Sequence, residues 1–129
     1  MLIGLLEDDL AIQEMLRLVF QSEGHEVTIY TDAEECLASV NRTDQRSGTP
    51  SPDLLVVDLH LSKSASGATV IEQIRANPDL ESLPIVLMTA SAFLDKRELE
   101  RLHVALLTKP FDIDDVMRLV DDLTSHTKP

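Results

Sequence analysis

The sequence predicts an α/β fold built on a doubly wound, five-stranded parallel sheet, and three observations carry that prediction. Five short segments rich in Ile, Val and Leu recur at residues 2–6, 27–30, 54–57, 85–88 and 104–107. They are too short for helices and show no wet face, as expected of strands buried on both sides. Each is followed by a stretch with apolar residues at helical spacing, and strict alternation of strand and helix calls for a parallel sheet covered on both faces. The length, 129 residues, suits one domain able to bury roughly two-thirds of the surface its unfolded chain exposes.

The helical stretches follow in order. Ile12, Leu16 and Val19 define the first, Leu37 and Val40 the second, and Val70, Ile71 and Ile74 the third. Leu94, Leu99 and Leu102 define the fourth, and Ile113, Val116, Leu119, Val120 and Leu123 the last, each opposite a charged face. Gly24 is suited to stop the first helix, Thr31 and Glu34 have capping-box spacing before the second, and Asn77-Pro78 ends the third. Asp112, Asp114 and Asp115 crowd the start of the last helix, where its dipole favours anions. Residues 41–52 are polar, hold two prolines, and read as a long surface loop within a single domain over residues 1–125. Residues 126–129 form a tail, and Met1 opening directly on the first strand favours a stand-alone domain.

Charge and composition narrow the function. With 11 Lys+Arg against 23 Asp+Glu the net charge is −12, and aromatic residues are 3% of the chain. That disfavours direct nucleic-acid binding, which wants a basic groove or stacking platforms. Cys36 is the single cysteine, which excludes a disulfide framework and a cysteine-based zinc site. No apolar run approaches the roughly 20 residues of a membrane span, and the first residues lack the basic flank of a signal peptide. The expected location is cytoplasmic, away from membranes.

Sites in parallel α/β sheets lie outside the C-terminal ends of the strands. There the sequence offers Glu7, Asp8 and Asp9 after the first strand, Asp58 after the third, Thr89 after the fourth and Lys109 after the fifth. Taken singly, each has an ordinary structural explanation: helix caps for the acidic run, a turn residue for Asp58, a strand-end Thr, a solvated Lys. Their conjunction points to chemistry. Converging carboxylates either share protons or hold a hard cation through oxygen, and Mg²⁺ takes one or two carboxylates together with phosphate oxygens. Phosphoryl transfer at such a site is positioning plus cation stabilisation, and one carboxylate can serve as nucleophile. Asp58, alone at the end of a central strand, is the candidate nucleophile. Asp8 is the direct metal ligand, Glu7 a ligand through water, and Lys109 the partner of Asp58 or of phosphoryl oxygens. The Thr89 hydroxyl and the Ala90 N–H would bind the phosphoryl group.

These segments resemble the receiver domain of two-component response regulators, of the chemotaxis-regulator type, over essentially the whole chain. Leu5-Leu6-Glu7-Asp8-Asp9 is similar to its acidic-pair motif and Leu54-Leu55-Val56-Val57-Asp58-Leu59 to its phosphoacceptor strand. Val86-Leu87-Met88-Thr89-Ala90 matches the switch-Thr strand, and Thr108-Lys109-Pro110-Phe111 the Lys-Pro-Phe motif. The resemblance implies a flavodoxin-like (βα)5 fold with strand order 2-1-3-4-5. It also implies that a histidine kinase or phosphotransfer protein donates a phosphoryl group to Asp58 with Mg²⁺ or Mn²⁺ bound, the metal also touching Asp58 itself and the backbone carbonyl of His60. It further implies a cis peptide before Pro110 and a switch in which Thr89 biases a partner-binding α4–β5–α5 face. Such a domain is a signalling module, an enzyme only toward its own aspartyl phosphate.

Three departures accompany the resemblance. Leu106 stands where the family has a switching aromatic, Ser62 where it commonly has Pro, and Gly67 one residue beyond the usual Gly. His60 and Ser91 occupy positions that tune phosphoryl lifetime in the family. Leu106 motivates an alternative, a pseudo-receiver that binds partners with weak or no phosphorylation-driven switching. A metal-dependent phosphatase with an Asp nucleophile is disfavoured because His60, not a second carboxylate, lies two residues after Asp58. A flavin or dinucleotide site lacks its phosphate loop and glycine motif.

Overall fold

The computed structural model describes residues 1–40, 51–61, 66–90 and 96–125, without the side chains of 124 and 125. Strands β1 (Leu2–Leu6), β2 (Glu26–Tyr30), β3 (Leu54–Asp58), β4 (Ile85–Thr89) and β5 (Ala105–Thr108) alternate with helices. These are α1 (Leu10–Ser22), α2 (Ala33–Val40), α3 (Gly67–Arg75), α4 (Lys96–Leu102) and α5 (Ile113–Ser125), with a 3-10 turn at Pro78–Leu80. The sheet is parallel throughout, in order β2-β1-β3-β4-β5. Class, strand order and all ten main elements follow the sequence expectation. Residues 41–50 of the predicted loop, Ser62, Leu94, Ser91 and the tail at 126–129 lie outside the described residues.

Alternation along each strand divides the core in two. Leu6, Leu55, Val57, Ile85 and Leu87 face α2, α3 and α4, with Cys36, Ile71, Ile74 and Leu102 against them. Ile3, Leu5, Leu54, Val56, Val86 and Met88 face α1 and α5, against Leu16, Phe20, Val116 and Val120. β3 and β4 are buried at every residue, as central strands covered on both faces must be. Gly4 is required by packing. A Cβ there would stand 2.8 Å from the ring of Tyr30, whose hydroxyl meets Ser39 Oγ at 3.0 Å inside the protein. Burial pushes the Cys36 thiol up to about 12, which leaves it an inert core residue.

The helix ends correct one expectation and bear out three. Gly24 takes φ +86° just past α1, where a left-handed residue closes the helix. Asp112 caps α5, accepting from Asp115 N at 2.9 Å while Asp115 Oδ2 accepts from Asp112 N at 3.3 Å. The cap of α2, however, is Asp32 and not Thr31: Asp32 Oδ1 accepts from Glu35 N at 2.8 Å. A carboxylate one residue nearer the helix outcompetes the hydroxyl, and Thr31 instead donates to Glu35 Oε2 at 2.6 Å. α3 ends at Arg75, before Asn77-Pro78, because Asn77 is the cap of the following 3-10 turn.

Candidate functional site

The C-terminal edge of the sheet gathers the predicted residues. Asp58 and Thr89 are the last residues of β3 and β4 rather than the residues after them, and both are buried, at 4% and 0% exposure. Glu7 directly follows β1, whose Leu6 pairs with Val57, so its carboxylate comes beside that of Asp58. Carboxylate oxygens of Glu7, Asp8 and Asp58 lie within 4.8 Å of one another. Lys109 follows β5, where Lys109 N donates to Thr89 O at 2.7 Å and continues the β4–β5 ladder past its last pair. From there Lys109 Nζ reaches Asp58 Oδ1 at 3.3 Å and Glu7 Oε1 at 3.7 Å. The Lys109-Pro110 peptide bond is cis.

The three consecutive acids divide their roles. Asp9 is the helix cap: its Oδ1 accepts from Ala11 N at 2.9 Å and Ile12 N at 3.2 Å. Glu7 turns inward and is 1% exposed, while Asp8 stays exposed at the mouth. Glu7 Oε1 accepts from Asp9 N at 3.3 Å, but Glu7 Oε2 is buried without a hydrogen-bond donor among the described residues. Burial, then the adjoining Asp58 carboxyl, pushes the Glu7 carboxyl up to about 8, against the pull of Lys109 and the Asp9 N–H. An orphaned buried oxygen beside two more carboxylates is the donor set of a hard divalent cation, so the residues present fit Mg²⁺ or Mn²⁺.

Two further residues support the site. Gln13, on the inner side of α1, donates from Nε2 to the Glu7 carbonyl and ties the acidic turn to the helix. Gly67 opens α3 against the phosphoacceptor strand, donating to Leu59 O at 2.9 Å, and a Cβ there would stand 2.3 Å from the Asp58 carbonyl oxygen. Only a residue without a side chain allows that approach. The resemblance marks Gly67 only as a displaced glycine and not by this contact, and Gln13 looks like any polar helix residue. His60 N donates to Asp58 Oδ1 at 3.3 Å and its side chain is exposed. Ala90 and Leu106 are exposed, Leu106 at 38%.

Fold and site together define a class, and the comparisons give its name. The family model described as the response regulator receiver domain matches residues 3–121, and the chain belongs to that family. Its members serve phosphorylation-based two-component signalling, between histidine kinases and downstream effectors. The response regulator Rcp1 of Synechocystis is 30% identical over 125 residues, 94% of this chain and 84% of that protein. Its Mn(2+)-bound crystal structure superposes with TM-score 0.76, covering 96% of this chain and 91% of the other. The magnesium-coordinated receiver domain of sensor histidine kinase PA1611 from Pseudomonas aeruginosa gives TM-score 0.79 at 25% identity, over 96% and 97% of the two chains. The transcriptional regulator NtrC of Klebsiella pneumoniae is 29% identical over 95% of this chain, which spans only 24% of that longer protein. No described helix is long and apolar enough to cross a membrane.

Proposed function

We propose that the chain is a cation-dependent phosphoacceptor: Asp58 takes a phosphoryl group from the phosphohistidine of a histidine kinase or phosphotransfer protein. The observation that carries this is the buried Asp58 carboxylate with Lys109 Nζ at 3.3 Å and the donor-less Glu7 Oε2 beside it. One Asp58 oxygen attacks phosphorus, a P–O bond forms, the P–N bond breaks, and the imidazole keeps the electron pair and is protonated. Lys109 counters charge on Asp58 before transfer and on the phosphoryl oxygens after it. The Thr89 hydroxyl and Ala90 N–H bind those oxygens and draw the end of β4 toward the new group. Asp8, Asp58 and the His60 carbonyl would hold Mg²⁺ or Mn²⁺ directly, Glu7 through water. When bound, the cation neutralises the clustered acids and the transferring oxygens.

In this reading the chain is a cytoplasmic signalling module that catalyses only its own phosphorylation and dephosphorylation. A downstream protein reads the α4–β5–α5 face, and nucleic acid is not contacted directly. One observation favours the pseudo-receiver alternative: the position of the switching aromatic holds an exposed aliphatic, Leu106. Intact mass after treatment with acetyl phosphate and Mg²⁺ separates the two. The phosphoacceptor gives one phosphoryl adduct that is absent from Asp58→Ala; an unmodified wild type favours the pseudo-receiver.

A further inference from the structure

At the end of α4 remote from Asp58, one side chain gathers the main-chain carbonyls. Arg75, the last residue of α3, donates from Nε to Leu102 O at 2.9 Å and from one terminal nitrogen to His103 O at 2.7 Å. Its other terminal nitrogen donates to Leu80 O at 2.8 Å and Glu81 O at 3.2 Å. A single guanidinium thus joins the last turn of α4, the residue that leads into β5, and the 3-10 turn that leads into β4. Helix-end carbonyls such as that of Leu102 have no partner within their own helix, and a planar cation at a helix C-terminus satisfies both their lone pairs and the dipole.

The junction needs such support. His103 turns the chain from α4 into β5 with φ +53°, a left-handed conformation usually left to glycine. A second tie, Arg101 to Glu72 of α3 and Glu98 of α4, is about half exposed, and exposed pairs contribute little. At its other end α4 begins at Lys96, seven residues beyond Thr89.

We infer that Arg75 is the pivot of α4: a positioning residue that pins the α4–β5 junction, so that a change at Asp58 and Thr89 moves the N-terminal end of α4 while its C-terminal end stays fixed. The pinned end stands on the hydrogen bonds alone; the moving end rests on the phosphoacceptor reading. Hydrogen exchange by mass spectrometry on the full chain tests both, for wild type, Arg75→Met, Arg75→Lys and Arg101→Gln, each with and without Mg²⁺ and beryllofluoride as a phosphoryl mimic.

Without the mimic, amides of residues 99–104 in Arg75→Met exchange about tenfold faster than in wild type while β1 and β3 are unchanged. Arg75→Lys, which keeps the charge and loses the fork, falls between, and Arg101→Gln stays within about twofold of wild type. With the mimic, wild-type changes concentrate at 96–99, and in Arg75→Met they spread to 100–104. Equal exchange at 99–104 in Arg75→Met and wild type overturns the proposal, as does a wild-type response as strong at 100–104 as at 96–99. If Arg75→Met does not fold, the same comparison is made on Arg75→Lys. A tenfold apo effect with no response to the mimic anywhere in wild type overturns the phosphoacceptor reading and the moving end, and leaves the pinned end standing.

Discussion

Glu7 and Arg75 sit at opposite ends of the sheet, each an ionisable group drawn at least partly out of water, and their surroundings differ in kind. Arg75 has four main-chain carbonyls within 3.2 Å. Glu7 has a second carboxylate beside it and an oxygen with no donor. One end of the sheet is satisfied by its own chain, and the other is satisfied only when something is added. A carboxyl oxygen buried without a donor costs stability, so its persistence at the edge where parallel sheets bind ligands marks the functional end.

The comparison breaks most completely at Asp58. Replacing it by Ala abolishes the phosphoryl adduct while the fold persists, because the core on either side of β3 does not need the carboxylate; near-UV circular dichroism with intact mass checks both halves. Next is the cost of the crowded acids. Glu7 has a folded pKa raised from 4.5 to about 8, so its contribution to stability is fully present below 4.5 and is lost as pH rises through 8. Urea unfolding of the metal-free chain at pH 5 and pH 8 is expected to differ between wild type and Glu7→Gln by about 3 kcal/mol, wild type losing more as pH rises.

Gly67→Ala comes third. Its Cβ would press on the Asp58 carbonyl, at a cost of about 2 kcal/mol in urea unfolding and a slower phosphorylation rate, since the strain lands on the acceptor's own backbone. At the satisfied end effects are smaller. His103→Gly relieves the left-handed turn and raises stability by about 1 kcal/mol, a shift that thermal unfolding resolves. A loss of stability there would mean that the imidazole makes a contact worth more than the strain.

The same contrast explains what was legible in the sequence. The strands were readable because burial on both faces demands uninterrupted Ile, Val and Leu, and β3 and β4 have that composition. Asp58, Thr89 and Lys109 were readable because polar residues end those apolar runs on the edge where sites form. Of the acidic run, sequence alone could not say which member caps α1; Asp9 does, because its side chain reaches the Ala11 and Ile12 amides. The α2 cap failed as a prediction because Thr31 and Asp32 are both good caps and only backbone geometry decides between them. Gln13 and Arg75 act through main-chain groups of distant residues, and such partners leave no spacing pattern.

The most direct test of the claim that the unsatisfied end is a cation and phosphoryl site is the unfolding free energy of the chain with and without millimolar Mg²⁺, at pH 5 and pH 8. Mg²⁺ is expected to stabilise wild type by about 1 kcal/mol or more at pH 8, less at pH 5 where Glu7 holds its proton, and not at all in Glu7→Gln/Asp58→Asn. Equal stabilisation of wild type and the double variant, or none in wild type at either pH, would contradict the account.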